Sequence, residues 1–273
     1  MQVLLVVVAA LAAMYLALVA IAWRFGDVLM FPAPGPSYRR GSLDGLIALR
    51  AADGNELSAL HLANPRARYT ILYSHGNGED LGNILPVLES IHVLGFAVFA
   101  YDYRGYGASP GRPSADGVVL DAQAAWAYVT EVIGVTPGRL ILWGRSIGGG
   151  PTVQLAAEHA CAGLVLEATF TSAFCVVTNR RILPFDRFEN RRLIRGMQLP
   201  TLFIHGTKDR IVPFVHGRRN FECAPEPKTA VWVEGAGHND LWLVAPDRIG
   251  SALVEFAASL EADRPEAPAR AAS

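Results

Sequence analysis

The chain has 273 residues, 51% of them hydrophobic, and a formal net charge of −1. That is enough apolar material for one sizeable core, within the size range of a single α/β domain. The near-zero charge excludes a general electrostatic pull toward nucleic acid, so no nucleic-acid partner is expected. Its three cysteines, Cys161, Cys175 and Cys223, lie far apart without the spacing of a disulfide framework or a zinc site.

Residues 3–23 carry no charge and are almost wholly apolar. As a helix, about 21 residues rise roughly 30 Å, which matches the hydrocarbon core of a bilayer. The expected reading is a retained transmembrane anchor whose partner is membrane lipid. A cleaved signal peptide competes with it, because Ala20-Ile21-Ala22 offers a small-residue cleavage site. Against cleavage, no Lys or Arg precedes the apolar run, and the run exceeds the usual length of about 7–15 residues. Arg24, Arg39 and Arg40 follow the span and point to a cytoplasmic enzyme domain. Residues 24–42, with Pro32, Pro34 and Pro36, read as a stiff linker.

Residues 43–261 read as the catalytic domain. Segments 43–49 and 57–62 form an expected antiparallel hairpin across Asp53-Gly54. Beyond Thr70, strands alternate with helical stretches at 82–94, 116–133, 146–159, 215–223 and 247–260. Such alternation implies right-handed crossovers and a mostly parallel central sheet flanked by helices, with ligands at the carboxyl ends of the strands. The first of these strands, 71–74, runs into His75-Gly76-Asn77-Gly78. The apolar stretch 139–143 runs into Gly144-Arg145-Ser146-Ile147-Gly148 and then a helical segment. This strand, sharp turn and helix are the setting of a G-x-S-x-G nucleophile elbow, in which the glycines let strand and helix approach closely. Ser146 is therefore the candidate nucleophile. One oxyanion donor is expected from the backbone of Asn77 and the other from Ile147, the residue after the serine.

Two later loops carry the partners that a serine needs. Strand 202–205 leads to Gly206-Thr207-Lys208-Asp209, and strand 231–233 leads to Glu234-Gly235-Ala236-Gly237-His238-Asn239-Asp240. In the order serine, acid, histidine, His238 takes the serine proton while Asp209 orients the imidazole. Glu167, after the strand 164–166, is the rival acid. Asp102 is expected to organise its own loop with Arg104. His75 and His205 are read as loop formers, and Asp240 as a loop cap.

The insertion 171–198 is long enough for a small lid. It holds Arg180, Arg181, Arg187, Arg191, Arg192 and Arg195 against Asp186 and Glu189. A solvated charged face explains this by default; a basic lid beside an anchor would alternatively attract anionic headgroups or acidic substrates. Ala173, Phe174, Val176, Val177, Phe185 and Phe188 offer an apolar underside and part of an acyl pocket. Residues 262–273 read as a disordered tail.

Taken together, His75-Gly76-Asn77, Asp102-Tyr103-Arg104-Gly105-Tyr106-Gly107, the Ser146 elbow, His205-Gly206-Thr207-Lys208-Asp209 and Gly235-Ala236-Gly237-His238-Asn239-Asp240 resemble the alpha/beta-hydrolase superfamily. Within it they are similar to the serine aminopeptidase and prolyl-oligopeptidase-like group, especially its membrane-associated, depalmitoylase-like hydrolase-domain proteins. The resemblance implies the alpha/beta-hydrolase fold and a serine hydrolase acting on an acyl ester or thioester, with no metal or organic cofactor. The front of the chain lacks the cysteine-rich acylated segment of those thioesterases. An aminopeptidase-like amide hydrolase, or a binding module on a hydrolase scaffold, are the alternative readings.

Overall fold

The computed structural model describes residues 1–39, 41–43, 45–178 and 180–262. Its centre is a sheet of eight strands: β1 (Leu46–Arg50), β2 (Glu56–Leu62), β3 (Thr70–Ser74), β4 (Ala97–Tyr101), β5 (Leu140–Arg145), β6 (Gly163–Glu167), β7 (Thr201–Gly206) and β8 (Lys228–Val233). Their spatial order is β1-β2-β4-β3-β5-β6-β7-β8. The hairpin β1–β2 and the pair β2–β4 are antiparallel, and every other pair is parallel. This is the alpha/beta-hydrolase architecture.

Helices α2 (Leu81–Val93), α3 (Ala115–Ala127), α4 (Gly149–Glu158), α7 (Val215–Cys223) and α9 (Pro246–Ala262) provide the crossovers or flank the sheet, with short α5 (Cys175–Thr178), α6 (Asn190–Gly196) and α8 (Leu241–Val244) between them. The central strands are buried on both faces, so their sequences are continuous apolar runs. The period of two still decides which layer each residue joins. Leu140 and Leu142 of β5 pack with Val118 and Ala122 of α3 on one face. Ile141 and Trp143 pack on the other, in the cluster that holds Leu88 of α2 and Leu253 and Phe256 of α9. Each such side chain contributes about 1.5–3 kcal/mol on burial.

Helix ends follow local chemistry. Asp80 caps α2 by accepting from the N–H of Asn83 at 3.0 Å, and Ser114 caps α3 by accepting from Gly117 at 3.0 Å. The single helix expected over 116–133 is two elements, because a π turn follows α3 at Tyr128–Val132. There Thr130 donates its hydroxyl to the carbonyls of Trp126 and Ala127 and competes with the regular ladder.

The apolar helix α1 spans Gln2–Met30. Residues 24–30, assigned above to the linker, are therefore helical, since nothing before Pro32 interrupts the turn. The linker begins at Phe31. Most of α1 is exposed, with Val3, Leu4 and Trp23 each about two-thirds or more accessible. Its carboxyl end is different: Gly26 and Phe31 are buried against the domain. Higher up, the Tyr15 hydroxyl donates to the carbonyl of Ile182 in the lid at 3.0 Å. Arg40, the side chain of Val177 and the tail from 263 onward lie outside the described residues.

Candidate active site

β5 ends where the chain must turn sharply into α4. Ser146 sits there with a positive φ of 52°, the strained backbone of an elbow. The surrounding glycines have no room for a side chain. A Cβ on Gly144 would meet the carbonyl of Gly148 at 2.7 Å, and one on Gly148 would meet the carbonyl of His75 at 2.6 Å and that of Ser74 closer still. The turn is braced from β6: Thr169 donates its hydroxyl to the Ser146 carbonyl at 2.8 Å.

Three loops bring the predicted residues together. His238 Nε2 lies 2.9 Å from Ser146 Oγ, and His238 Nδ1 lies 2.6 Å from Asp209 Oδ2. An ionised carboxylate only accepts, so Nδ1 carries the proton and Nε2 is left to accept from the serine hydroxyl. All three residues are buried. The other oxygen of Asp209 accepts from the N–H groups of Ile211 and Val212, both at 2.8 Å. Burial alone would favour the neutral acid. The hydrogen bonds from His205 and His238 outweigh it and hold the Asp209 carboxyl well below the usual carboxylate range.

The histidines read as loop formers do hold loops. His205 Nε2 donates to the Val212 carbonyl at 2.9 Å and lies 3.3 Å from Asp209, tying the acid loop to β7. His75 Nδ1 bonds the Gly76 carbonyl at 2.8 Å, and its ring packs on Tyr103 with centroids 4.4 Å apart. Asp240 caps the histidine loop, accepting from Gly237 at 2.7 Å.

Asp102 does not pair with Arg104. Its carboxylate accepts from the hydroxyl of Tyr38 and from the N–H of Leu81 at 2.8 Å, so it stands at the amino end of α2, where negative charge is favoured. Arg104 turns the other way, to Asp121 at 2.8 Å and Asp53 at 2.5 Å. Two residues apart on one loop, the two side chains serve different elements.

Glu167, the rival acid, is fully buried at the end of β6 and accepts from Trp143 Nε1 at 3.0 Å. Its other oxygen faces Arg145 Nε at 3.3 Å. Burial raises its carboxyl above the usual range, and Arg145 opposes that shift.

Arg145 was passed over in the sequence because it is the variable residue of the elbow. Its guanidinium ties three loops together. It pairs with Glu79, whose other oxygen accepts from the N–H of Gly76 at 2.7 Å. It also donates to the His238 carbonyl at 3.1 Å and to Asn239 Oδ1 at 3.0 Å. One fork thus binds the loop after β3, the end of β6 and the histidine loop. Glu79 and Glu167 keep it charged although burial works against that charge.

Asn77 occupies the loop after β3, and Ile147 follows the serine. Among the described residues the backbone N–H of Asn77 donates to no other backbone group. The Asn77 side chain is held instead: its amide donates to the Met30 carbonyl at 2.7 Å, and its oxygen accepts from the Tyr106 hydroxyl at 2.6 Å.

The lid is tied by two acids. Asp186 accepts from Ser172 Oγ at 2.7 Å and from the N–H of Phe174 at 2.8 Å, while Glu189 pairs with Arg181 at 2.7 Å and Arg192 at 3.0 Å. Phe174 meets Phe185 edge-on, and Phe188 stands over Gly150 and against Phe31. A cavity of about 590 Å³ opens beside these acids, walled by Thr171, Ser172, Arg191 and Arg195 among others.

Known proteins match this arrangement. A serine aminopeptidase (S33) family profile matches residues 65–182. Alpha/beta hydrolase domain-containing protein 17B of Homo sapiens is 38% identical over 198 residues, covering 71% of this chain and 69% of the human protein. The chain belongs to the alpha/beta hydrolase domain-containing 17 family. The family's 17C protein of Xenopus tropicalis is 40% identical over 185 residues, 67% of this chain but 60% of the frog protein's own length. Among solved structures, the esterase Pf2001 of Pyrococcus furiosus superposes with a TM-score of 0.68 at 18% identity, covering 83% of this chain and 99% of the esterase. The esterase RhEst1 of Rhodococcus sp. ECU1013 does so with a TM-score of 0.62 at 20% identity, covering 79% and 99%. These two show that the family member shares their fold.

Proposed function

We propose that the protein is a membrane-tethered serine hydrolase that cleaves an acyl ester or thioester through an acyl-enzyme. The observation that carries the reading is the continuous buried chain from Asp209 through His238 to Ser146, at 2.6 and 2.9 Å. His238 removes the hydroxyl proton as Ser146 Oγ attacks the acyl carbon. The N–H groups of Asn77 and Ile147 receive the oxyanion, and each such donor lowers the barrier by roughly 3–4 kcal/mol. His238 then returns the proton to the departing alkoxide or thiolate. Water repeats the cycle in reverse roles and frees the acid. Asp209, kept ionised by its hydrogen bonds, stabilises the imidazolium at both steps.

The anchor part of the reading is supported by α1, whose most apolar window has a mean hydropathy of 2.9 and is not buried. Arg24 near its carboxyl end favours a cytoplasmic domain. The carboxyl end of α1, beyond the span, packs against Phe174 of the lid through Gly26, so acyl substrates borne by the membrane fit the site's surroundings better than soluble ones.

Purified full-length protein is assayed against p-nitrophenyl esters of graded chain length, an acyl thioester and an aminoacyl amide, with fluorophosphonate labelling of Ser146. Ester and thioester turnover with Ser146 labelled supports the reading. Turnover of the amide alone replaces it with the aminopeptidase reading, and absence of both labelling and turnover replaces it with a binding module. Carbonate-resistant membrane retention with an intact amino terminus by mass spectrometry is expected; a terminus just after Ala22 overturns the anchor.

A further inference from the structure

The carboxyl end of α1 is bonded into the domain rather than resting on it. Asp27 Oδ1 accepts from the N–H of Ala115, the first residue of α3, at 3.3 Å, and lies 3.9 Å from Arg187 of the lid. Gly26 lets the Phe174 ring close on the helix, since a Cβ there would stand 2.9 Å from that ring. The last four carbonyls of a helix have no partner within it. Phe31 still donates to Asp27 at 2.9 Å, but Pro32 cannot continue the turn, and Pro34, four residues beyond Met30, has no N–H to offer its carbonyl. The Met30 carbonyl is thereby left for a side chain, and the one that takes it is Asn77.

Asn77 follows Gly76, whose N–H is held by Glu79 and whose carbonyl is held by His75, and precedes Gly78, which at a φ of 73° leaves the other side of the loop little restraint of its own. On that side the hold comes from the Asn77 side chain, gripped at the nitrogen by Met30 and at the oxygen by Tyr106. One grip comes from the apolar helix and the other from the loop after β4.

We infer that the last turn of α1 is a positioning element of the oxyanion-binding loop: by holding the Asn77 amide through the Met30 carbonyl, the seated helix sets the rate of acyl transfer at Ser146. The inference rests on the serine-hydrolase reading above. An oxyanion donor is effective only when it is aimed before charge develops, and a misplacement of about 1 Å can cost on the order of 10²-fold in rate. A helix held by lipid and bonded to that loop therefore couples the seating of the anchor to the chemistry. In this protein the membrane segment and the catalytic domain are not separable modules.

The test uses the full chain in phospholipid nanodiscs, hydrolysing p-nitrophenyl butyrate, with competent Ser146 counted by fluorophosphonate titration. Asn77→Ala is expected to lower kcat per competent serine by about 10- to 100-fold, with KM within about twofold. Tyr106→Phe, which releases the other end of the same amide, is expected to lower kcat in the same way by a smaller factor, and it keeps the test available if Asn77→Ala does not fold. Gly26→Trp, which pushes α1 off Phe174, is expected to lower kcat in the wild-type background and to add little in the Asn77→Ala background. A purely structural role would shift melting temperature without changing kcat per labelled site. Wild-type kcat in Asn77→Ala, or an equal Gly26→Trp effect in both backgrounds, overturns this inference alone; absence of Ser146 labelling in the wild-type chain overturns the serine-hydrolase reading with it.

Discussion

At the carboxyl edge of the sheet Ser146, Asp209 and His238 each hang from a loop that follows a strand, whereas the lid between β6 and β7 and the end of α1 are tied to the domain by side chains. Ser146 follows β5 and Asp209 follows β7, both buried strands, and His238 follows β8, the partly exposed edge strand of the same sheet. Among its described residues the lid has only the four residues of α5 and the seven of α6 as regular structure, too short to be stable alone. It is shaped by Asp186, Glu189 and the aromatic contacts of Phe174, Phe185 and Phe188. The difference teaches where precision and adaptability are built. Ser146, Asp209 and His238 are set by the ends of sheet strands, whereas the lid and the end of α1 depend on a few replaceable contacts.

The sharpest break at the edge of the sheet is Ser146→Ala. Removing the nucleophile is expected to lower turnover by about 10⁶-fold with the melting temperature nearly unchanged, read by ester hydrolysis and thermal unfolding. Near-normal turnover would remove Ser146 from the mechanism. Next in size is the pair of acids. Asp209→Asn is expected to lower kcat by about 10⁴-fold, as neutralising a triad aspartate does. Glu167→Gln should leave kcat within about tenfold, because its partners are Trp143 and Arg145 rather than His238. A reversed order would move the acid to the end of β6.

Arg145→Met tests whether loops on separate strands are held together by one cation. It strands Glu79 and Glu167 without their counter-charge, which for a buried pair costs about 3–5 kcal/mol. A denaturation midpoint equal to that of wild type would show that the guanidinium is dispensable.

Beneath the lid, His216 is buried with Nδ1 accepting from the N–H of Thr171 at 3.3 Å. Burial, aided by Arg219 and His205, lowers its pKa from 6.5 to about 4. The unfolded chain then binds the proton first as pH falls below about 6.5, so folding stability should drop between pH 6.5 and 4. By pH 5 the loss attributable to this group is at most about 2 kcal/mol. Urea unfolding of wild type and His216→Leu at pH 7 and pH 5 checks it: the pH difference should shrink in the variant, and an unchanged difference would assign the effect elsewhere. The smallest effect is expected in the lid itself. Asp186→Asn weakens the hydrogen bonds from Ser172, Phe174 and Arg187 and should cost about 1 kcal/mol, seen as faster tryptic cleavage at the lid arginines with kcat little altered; an unchanged cleavage rate would mean that Asp186 does not set the lid's shape.

The alternation of strands and crossovers, the elbow at Ser146 and the loops bearing Asp209 and His238 were legible along the chain, whereas the spatial order that sets β4 between β2 and β3 was not. The reason is local: apolar runs of strand length, glycines at crowded turns and acid or histidine just past a strand are properties of a few adjacent residues. The hairpin bounds shifted by a few residues, and the carboxyl end of α1 was misread as linker because a proline-rich stretch just beyond it dominates the composition there. Hidden from the chain were the partnerships that depend on which loops the sheet brings side by side. Arg145 had no sign of its role, since Glu79, Glu167 and Asn239 are 66, 22 and 94 residues from it in sequence. Asp102 and Arg104, two residues apart, face different helices because the loop after β4 turns between them. Asn77 could be placed in the loop after β3 from its strand, yet its grip on Met30, 47 residues earlier, exists only because β3 lies at the centre of the sheet and its loop opens where the apolar helix ends. The alternation of strands and helices is written in short stretches of chain; which strands lie side by side, and which charges and amides meet across them, is settled by packing, where long-range neighbours share one buried surface.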